Sequence, residues 1–190
     1  MRKLAQSAVL SAALVALAGP VLAAGLDIEI AGQANGQVHV ELFDDLAPQH
    51  VERITTLARE GAYDGVYFHR VIEGFMAQTG DVQYARNPAD GGDMRRAGTG
   101  GSDYPDLPAE FSETPFTRGI VGMARSSDPD SANSQFFIMF TEYPSLDGQY
   151  TVVGEVTSGM EVVDQIKRGE GRSGVVTGEP DRMVKVTVTE

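Results

Sequence analysis

The sequence predicts a mainly β fold in which a closed antiparallel sheet is capped by two amphipathic helices. Three observations favour this class. Short segments that alternate apolar and polar residues recur along the chain, only two segments have helical spacing, and neither lies where a regular strand–helix–strand crossover would need it. Closure would remove exposed sheet edges, and the helices would bury their apolar stripes over the open ends.

A signal peptide is predicted for the first 23 residues, before the fold begins. Arg2 and Lys3 give a positive start, an apolar run covers residues 9–17, and residues 21–23 (VLA) form a small-residue cleavage pattern. Cleavage after Ala23 fits best, and cleavage after the next alanine is the alternative.

A transmembrane anchor is the other interpretation of this segment, but the apolar run is short and is interrupted by Gly19 and Pro20. We therefore expect residues 24–190 to form one exported domain with no membrane contact after cleavage. A periplasmic location is expected, with full secretion as the alternative.

Composition narrows the classes of partner. The chain of 190 residues carries 27 acidic and 15 basic side chains, a formal net charge of −12, and no cysteine. An acidic surface argues against nucleic acid or an anionic membrane as the main partner. The absence of cysteine excludes a disulfide framework and a lipoprotein anchor.

The first half of the domain begins with a hairpin and a helix. Apolar residues alternate at 26–30 and at 38–42 on either side of a turn at 34–37, which predicts two paired strands. Helical spacing follows over 48–60, where Pro48 suits the first turn and Gly61 the stop.

The remaining elements are six strands and one helix. The strands are predicted at 67–72, 75–78, 119–124, 135–140, 150–156 and 184–188, and the helix at 158–168. Ser158 and Glu161 have the spacing of a capping box at the start of this helix. Within the strand at 135–140, Phe136, Ile138 and Phe140 share one face, which we assign to the core.

A long segment over residues 82–111 is rich in Gly, Asp, Pro and Arg and is predicted to be a loop, which at this length is often functional. Its GTGG motif lacks the lysine of a phosphate-binding loop, so a nucleotide site is not expected. Asp128 and Asp130 lack the glycine and terminal glutamate of a calcium loop, and we reject that site.

The segment at 67–81 carries the most unusual chemistry. A cationic pair, His69 and Arg70, lies among apolar residues and is followed by Phe75, Met76 and Gln78. A charged group on an apolar strand needs a partner or a cleft. This combination indicates a pocket for a ligand that is partly apolar and partly polar.

Covalent and metal chemistry have little support in the sequence. No serine lies in a G-x-S-x-G elbow, and the three histidines lack the spacing of metal ligands. No metal and no cofactor are therefore expected. The residues at 67–81 suit the binding of an extended peptide and the rotation of one of its bonds.

Five blocks of sequence then resemble the cyclophilins, the peptidyl-prolyl cis–trans isomerases, in the order in which that family carries them. They are FHRVIEGFMAQTGD, GTGG, GIVGMAR, NSQFFI and LDGQYTVVGEV. The resemblance implies a closed eight-stranded antiparallel β-barrel capped by two helices. With its signal peptide, the chain is most similar to the bacterial periplasmic members.

The resemblance also implies roles for individual residues. Arg70 matches the catalytic arginine and Gln78 the amide that holds the substrate backbone. Other positions match the proline pocket and the surface beside it. These substrate-binding residues are Phe75, Met76, Ala124, Arg125, Gln135, Phe137, Leu146 and Tyr150. From pattern alone, Phe75, Met76 and Phe137 would equally serve as core residues.

Three positions depart from many eukaryotic members. Ser145 stands where they carry tryptophan, which predicts weak cyclosporin binding, while Tyr150 replaces histidine and Arg125 replaces asparagine. We expect a monomeric isomerase that acts on proline-containing, unfolded or partly folded polypeptides and assists their folding in the cell envelope. A non-enzymatic proline-peptide binder on the same fold is the alternative.

Overall fold

The computed structural model describes residues 24–190, so the predicted signal peptide at 1–23 lies outside the described residues. Eight strands and two helices follow along the chain. They are β1 (Gly25–Ala31), β2 (Gly36–Leu42), α1 (Pro48–Arg59), β3 (Arg70–Ile72), β4 (Met76–Thr79), β5 (Ile120–Met123), β6 (Phe136–Met139), β7 (Val152–Ser158), α2 (Met160–Val163) and β8 (Arg182–Thr189). None of the helices formed by residues 24–190 is long and apolar enough to cross a membrane.

The strands form one antiparallel sheet in the order β3-β4-β6-β5-β7-β2-β1-β8. The predicted antiparallel class and strand number are confirmed, but the predicted closed barrel is wrong. The edge strands β3 and β8 do not form a ladder. The segment before β3 meets the start of β8 through an isolated bridge between Tyr67 and Arg182 and a few backbone hydrogen bonds between residues 65–68 and 181–183. The sheet is therefore an open half-barrel.

A loop at residues 169–176 explains why the sheet stays open. This loop occupies the free edge of β3, where the Val71 N–H donates to the Gly174 carbonyl at 2.7 Å and the Val176 N–H donates to the His69 carbonyl at 3.0 Å. Backbone groups that β8 would otherwise use are thus already paired. The loop also covers an edge that would be prone to pairing with another chain.

Residues on the two faces of the sheet belong to two separate apolar clusters. Phe136 and Ile138 of β6 lie in the main core, together with apolar residues from β1, β2, β8 and α1. Phe137 and Met139, which alternate with them, lie in a smaller cluster on the other face. The predicted assignment of the β6 faces is confirmed, because successive side chains of a strand point to opposite sides.

The N-terminus of α1 is capped by a residue from the long loop. Ala47 at the N-cap offers no side-chain hydrogen bond, and the Glu110 carboxylate takes its place. This carboxylate accepts from the backbone N–H of Gln49 at 3.2 Å, from the backbone N–H of His50 at 3.1 Å, and from the His50 Nδ1 at 2.6 Å. A carboxylate is favourable at this end of a helix dipole.

The charge states of His50 and Glu110 at this cap follow from burial and from hydrogen bonding. Burial lowers the pKa of His50, so the ring is neutral at pH 7. Burial alone would raise the pKa of Glu110, but hydrogen bonds from His50 and Gln49 outweigh it and hold the pKa of this carboxyl below its usual value. The cap therefore pairs a neutral imidazole with a carboxylate.

A second contact holds the loop further along α1. The Arg53 guanidinium donates to the Pro105 carbonyl at 2.8 Å and lies over the Tyr104 ring, 5.0 Å from its centroid. The loop prediction over residues 82–111 is confirmed, with one short 3-10 turn at Pro88–Asp90. Its path is set by contacts with α1 rather than by regular structure of its own.

The second helix differs from its prediction. α2 covers only Met160–Val163, and its N-cap residue is Gly159, whose φ of +89° lies in the left-handed region that favours glycine. No side chain caps the helix, so the predicted capping box between Ser158 and Glu161 is not formed. The positive φ of Gly159 turns the chain sharply and separates the Ser158 side chain from the first turn.

The cap at α1 predicts an acid-sensitive contribution to stability. Glu110→Gln is expected to lower the free energy of unfolding at pH 7 by about 1–3 kcal/mol, because hydrogen bonds to a charged, partly buried acceptor are weakened. The pKa of Glu110 is lowered in the folded state. The difference between wild type and variant is therefore fully present above the unfolded pKa near 4.3 and is lost as the pH falls through the folded value.

Urea denaturation between pH 7 and pH 3 measures this difference. Glu113→Gln, which changes an exposed residue just after the same loop, is the matched control. The lowered pKa of His50 means that the folded state binds fewer protons, so all three proteins should lose stability below about pH 6.5. A gap between wild type and Glu110→Gln that stays constant to pH 3 would contradict the assignment.

Candidate active site

A pocket of about 160 Å³ opens on the face of the sheet that carries the smaller apolar cluster. Nine of the ten residues predicted for the site line it: Arg70, Phe75, Met76, Gln78, Ala124, Arg125, Phe137, Leu146 and Tyr150. Gln135, the tenth, lines a neighbouring groove. Residues spread over about 80 positions of the chain are thus brought together around this pocket, while their individual roles remain predictions.

Strand register places the polar and aromatic members in one row. Arg70 of β3 is opposite Gln78 of β4, and Gln78 is opposite Phe137 of β6. The row continues to Gly122 of β5. Directly opposite residues of neighbouring strands point to the same face, so three side chains from three strands face the pocket together.

Aromatic rings form the floor of the pocket and the apolar layer behind it. The rings of Phe116 and Phe137 stack with 5.8 Å between centroids, and the Tyr150 ring meets Phe137 edge-on at 5.9 Å. Gly122 is required beneath them, because a Cβ there would lie 2.6 Å from the Phe116 ring and 2.7 Å from the Phe137 ring. The sequence analysis missed Phe116, which lies just beyond the predicted loop and outside any alternating pattern.

A chain of side-chain hydrogen bonds fixes the Arg70 guanidinium. Arg70 Nη1 donates to Gln78 Oε1 at 3.1 Å, Gln78 Nε2 donates to Gln135 Oε1 at 2.9 Å, and Gln135 Nε2 donates to the Gly100 carbonyl at 2.7 Å. Arg70 Nε donates to the Ser173 carbonyl at 3.0 Å. These two bonds use two of the five guanidinium N–H groups and leave the others available to a ligand.

Arg70 keeps its positive charge although it is partly buried. Burial lowers the pKa of Arg70, an effect that the nearby Tyr150 opposes. An arginine nevertheless stays protonated in proteins. The pocket therefore presents a fixed cationic donor beside an apolar surface.

The loop that ends the hydrogen-bond chain is anchored by Asp81. This carboxylate is fully buried and accepts four backbone N–H groups. The four donors are those of Gln83 at 3.2 Å, Tyr84 at 2.8 Å, Gly98 at 2.7 Å and Gly100 at 3.1 Å. A buried carboxylate is stable only when its oxygens are paired in this way. Asp81 thereby sets the position of the carbonyl that Gln135 uses.

His69 differs from its predicted charge. Its ring is buried, and within residues 24–190 neither ring nitrogen has a hydrogen-bond partner. Burial lowers the pKa of this imidazole, so it is neutral rather than half of a cationic pair with Arg70. The ring packs against the loop that Asp81 holds, and a Cβ on Gly98 would approach its Nε2 to 3.3 Å. His69 is therefore a buried neutral side chain that lines a small neighbouring cavity beside Arg70 and Gln78, and not a second cation.

A larger groove of about 810 Å³ continues from the pocket, and Gln78, Ala124 and Arg125 line both. Its other lining residues come mainly from the long loop and from the segment before β6. They are Gly98, Thr99, Gly100, Gly101, Ser102, Tyr104, Pro105, Asp106, Ser126, Ser131, Asn133 and Gln135. The groove can accommodate a polypeptide backbone that extends out of the pocket.

This geometry supports non-covalent chemistry. The residues that line the pocket include no serine, no cysteine and no carboxylate. Within residues 24–190, no group of three or more histidine, aspartate or glutamate side chains is placed to hold a metal ion. The pocket instead combines an apolar floor with an oriented guanidinium and an oriented amide.

The family model and the curated relatives identify the same family. The family model described as "Cyclophilin type peptidyl-prolyl cis-trans isomerase/CLD" matches residues 26–188. A probable peptidyl-prolyl cis-trans isomerase of Brucella suis is 61% identical over 154 residues, which cover 81% of this chain and 78% of the relative. A peptidyl-prolyl cis-trans isomerase of Helicobacter pylori is 41% identical over 145 residues, covering 74% and 80%.

The fold is similar to solved structures of the same family. The cyclophilin type peptidyl-prolyl cis-trans isomerase of Cryptosporidium parvum, crystallised in the presence of the dipeptide Ala-Pro, aligns with a TM-score of 0.72 and 26% identity. The alignment covers 87% of this chain and 99% of that chain. A cyclophilin from Hirschia baltica aligns with a TM-score of 0.68 and 26% identity, covering 86% and 73%.

The buried carboxylate gives a prediction for the site. Asp81→Asn replaces one oxygen by an NH₂ group that cannot accept, so about two buried backbone N–H groups lose their partner. We expect the free energy of unfolding to fall by about 2–4 kcal/mol and the amide protons of one of the two pairs, Gln83 and Tyr84 or Gly98 and Gly100, to lose protection from hydrogen exchange. Denaturant titration and hydrogen exchange measure the two effects.

Asp93→Asn is the control for this variant, because Asp93 is a partly exposed residue of the same loop whose ion pair is with the exposed side chain of Arg95. Little change is expected there. If Asp81→Asn kept both the stability and the exchange protection of the wild type, Asp81 would not anchor the loop.

Proposed function

Because the chain belongs to the cyclophilin-type peptidyl-prolyl cis–trans isomerase family, we propose that it accelerates rotation about X–Pro bonds in exported polypeptides and thereby assists their folding in the cell envelope. The isomerase class is that of the family and of the curated relatives. The observation that carries the mechanism is the Arg70 guanidinium, which is held at the edge of an apolar pocket by Gln78 and the Ser173 carbonyl.

The reaction needs no covalent intermediate. Rotation about an amide bond is opposed by resonance, with a barrier of about 20 kcal/mol, and uncatalysed X–Pro isomerisation takes about 10–100 s. In the twisted state the prolyl nitrogen loses conjugation and regains a lone pair. A group that binds this lone pair stabilises the twisted state more than either planar state.

Arg70 is the proposed donor to that lone pair. A guanidinium fixed before the reaction loses little energy in reorienting at the moment of twisting. The apolar side chains of Phe75, Met76, Phe137 and Leu146 receive the proline ring, because this ring is the part of the substrate that must stay fixed while the rest rotates. A millionfold acceleration would require only about 8 kcal/mol of such differential binding.

The remaining residues orient the substrate backbone. Gln78, whose amide is already bonded to Arg70 and to Gln135, is proposed to hold the backbone on the carboxyl side of the rotating bond. The main chain at Ala124 and Arg125 is proposed to pair with the residue before proline. Tyr150 closes the wall of the pocket. Holding both ends of the bond makes the twist the only free movement.

Proline-containing, unfolded or partly folded polypeptides are the proposed substrates. The open groove beside the pocket suits an extended backbone, and the Cryptosporidium relative was crystallised in the presence of Ala-Pro. A monomeric enzyme is part of the proposal. Ser145 lies exposed in the turn at Pro144–Leu146, and its small side chain supports weak cyclosporin binding.

Arg70→Ala tests the central role. We expect kcat/KM for a short X–Pro peptide to fall by about 10²–10³-fold, the usual cost of removing one preorganised donor from a transition state, while the midpoint of thermal unfolding changes little. A protease-coupled isomerisation assay measures the rate. Arg182→Ala on the exposed side of β8 serves as the control and should retain wild-type activity.

Two outcomes would contradict the assignment. An Arg70→Ala variant that is as active as wild type would exclude the guanidinium as the donor, and one that unfolds would make Arg70 structural. A wild-type chain that binds proline peptides without isomerising them would favour the alternative of a non-enzymatic binder.

Export is tested separately. Expression of the full chain in a Gram-negative host, followed by cell fractionation and N-terminal sequencing, should give a periplasmic protein that begins at Ala24. Changing Arg2 and Lys3 to glutamate should leave the full-length chain in the cytoplasm, because a signal peptide needs its positive start. An intact N-terminus in the wild-type protein would contradict export by cleavage.

A further inference from the structure

The pocket concentrates positive charge in an acidic protein. Arg70 and Arg125 are the only charged residues among those that line it. Acidic side chains outnumber basic ones by 27 to 15 over the whole chain. Within residues 24–190, four other arginines form ion pairs with carboxylates, but neither Arg70 nor Arg125 does. An acidic protein that keeps two neighbouring arginines free of carboxylates has a local surplus of positive charge at this site.

Arg125 is held in place without losing its charge. Its Nε and Nη2 donate to the Gln149 carbonyl at 3.3 and 2.9 Å, and its Nη1 donates to the Ser126 carbonyl at 2.9 Å. Its guanidinium also lies over the Tyr150 ring, 4.4 Å from the centroid. All of these partners are neutral, so the cation is oriented but not neutralised.

This arrangement leaves a donor ready for an anion. Three of the five guanidinium N–H groups are used, and two remain. Because the side chain is already ordered, an anionic ligand would not need to immobilise a long flexible cation, which is one of the main costs of a surface ion pair. Tyr150 is itself fixed edge-on against Phe137, so the platform beneath the guanidinium is rigid.

The position of Arg125 identifies the part of the substrate that it would contact. Arg125 lies two residues beyond the end of β5 and, like Ala124, lines both the pocket and the adjoining groove, where the residue before proline is proposed to lie. Resting on the proposed function, we propose that Arg125 makes the enzyme selective for polypeptides with an acidic residue immediately before the proline.

The selectivity is expected only for the substrate residue immediately before the proline, because a carboxylate of the protein lies further along the groove. Asp106 lines the outer groove, where it accepts a hydrogen bond from the Asn133 amide. An acidic substrate residue further from the proline would therefore approach a carboxylate instead of a guanidinium. At about 0.1 M salt, charges separated by more than about 10 Å are largely screened. The contact with Arg125 thus outweighs the distant negative charge of the chain.

Peptides that differ at one position test the proposal. In the series Ala-X-Pro-Phe, X is alanine, glutamate, glutamine or lysine, and kcat/KM is measured for wild type, Arg125→Gln and Arg59→Gln. We expect wild type to favour glutamate over lysine by about two- to fivefold at low salt, the size of an oriented but solvent-exposed ion pair. The ratio should approach one in Arg125→Gln and near 1 M salt.

Two controls isolate the contact. Arg59→Gln makes the same change in net charge at the end of α1, where Arg59 faces Glu190, and should keep the wild-type ratio. Glutamate placed one residue further from the proline should give no gain. Using the ratio within each variant removes any general loss of activity that follows from disturbing Tyr150. Arg125→Lys, which keeps the charge, should keep a part of the preference.

The outcomes separate this proposal from the proposed function. The proposal would be overturned if wild type isomerised the alanine peptide but gave a glutamate-to-lysine ratio of kcat/KM near one. It would also be overturned if Arg125→Gln left that ratio unchanged. In either case Arg125 would only brace the pocket wall. If no peptide were isomerised, the proposed function would fail. The ratio of the affinities for the glutamate and lysine peptides, measured by NMR titration, would then decide whether Arg125 selects acidic ligands.

Discussion

The buried carboxylate of Asp81 is the constraint on which the site depends. It holds four backbone N–H groups, two on the turn that follows β4 and two on the loop at 98–100. The carbonyl of Gly100 then orients Gln135, which orients Gln78, which orients Arg70. Each of these hydrogen bonds is short. The first is accepted by the Asp81 carboxylate, and the others are accepted by neutral oxygens. The Arg70 guanidinium is therefore positioned through a chain of hydrogen bonds that begins at one charged group outside the pocket.

The sheet supports the site because one of its faces packs in the main core and the other carries the pocket. β6 sends Phe136 and Ile138 into the main core and Phe137 and Met139 into the pocket cluster. Alternation along a strand makes this division automatic, and β4 repeats it with Ala77 in the core beside Met76 in the pocket cluster. The pocket is thus built on strands whose other face is anchored by the core, which gives the rigidity that a preorganised site needs.

The sequence predicted the strands, α1 and the membership of the pocket well, because periodicity and the motifs of a known family are local signals. It could not predict the contacts that join distant segments. The cap that Glu110 provides for α1 spans 60 residues, and nothing around Glu110 differs from an ordinary acidic loop. The neutral state of His69 depends on burial, which a one-dimensional pattern does not show. Phe116 was missed for the same reason.

Closure of the barrel was predicted wrongly, and the reason is connected to the chemistry. The loop at 169–176 pairs with β3 in place of β8, through hydrogen bonds to the backbone of Val71 and His69. The same loop carries the Ser173 carbonyl that accepts from Arg70 Nε. A ladder between β3 and β8 would use the backbone groups that now hold this loop, and Arg70 would lose one of its two fixed partners. The open edge of the sheet therefore contributes to the orientation of the Arg70 guanidinium.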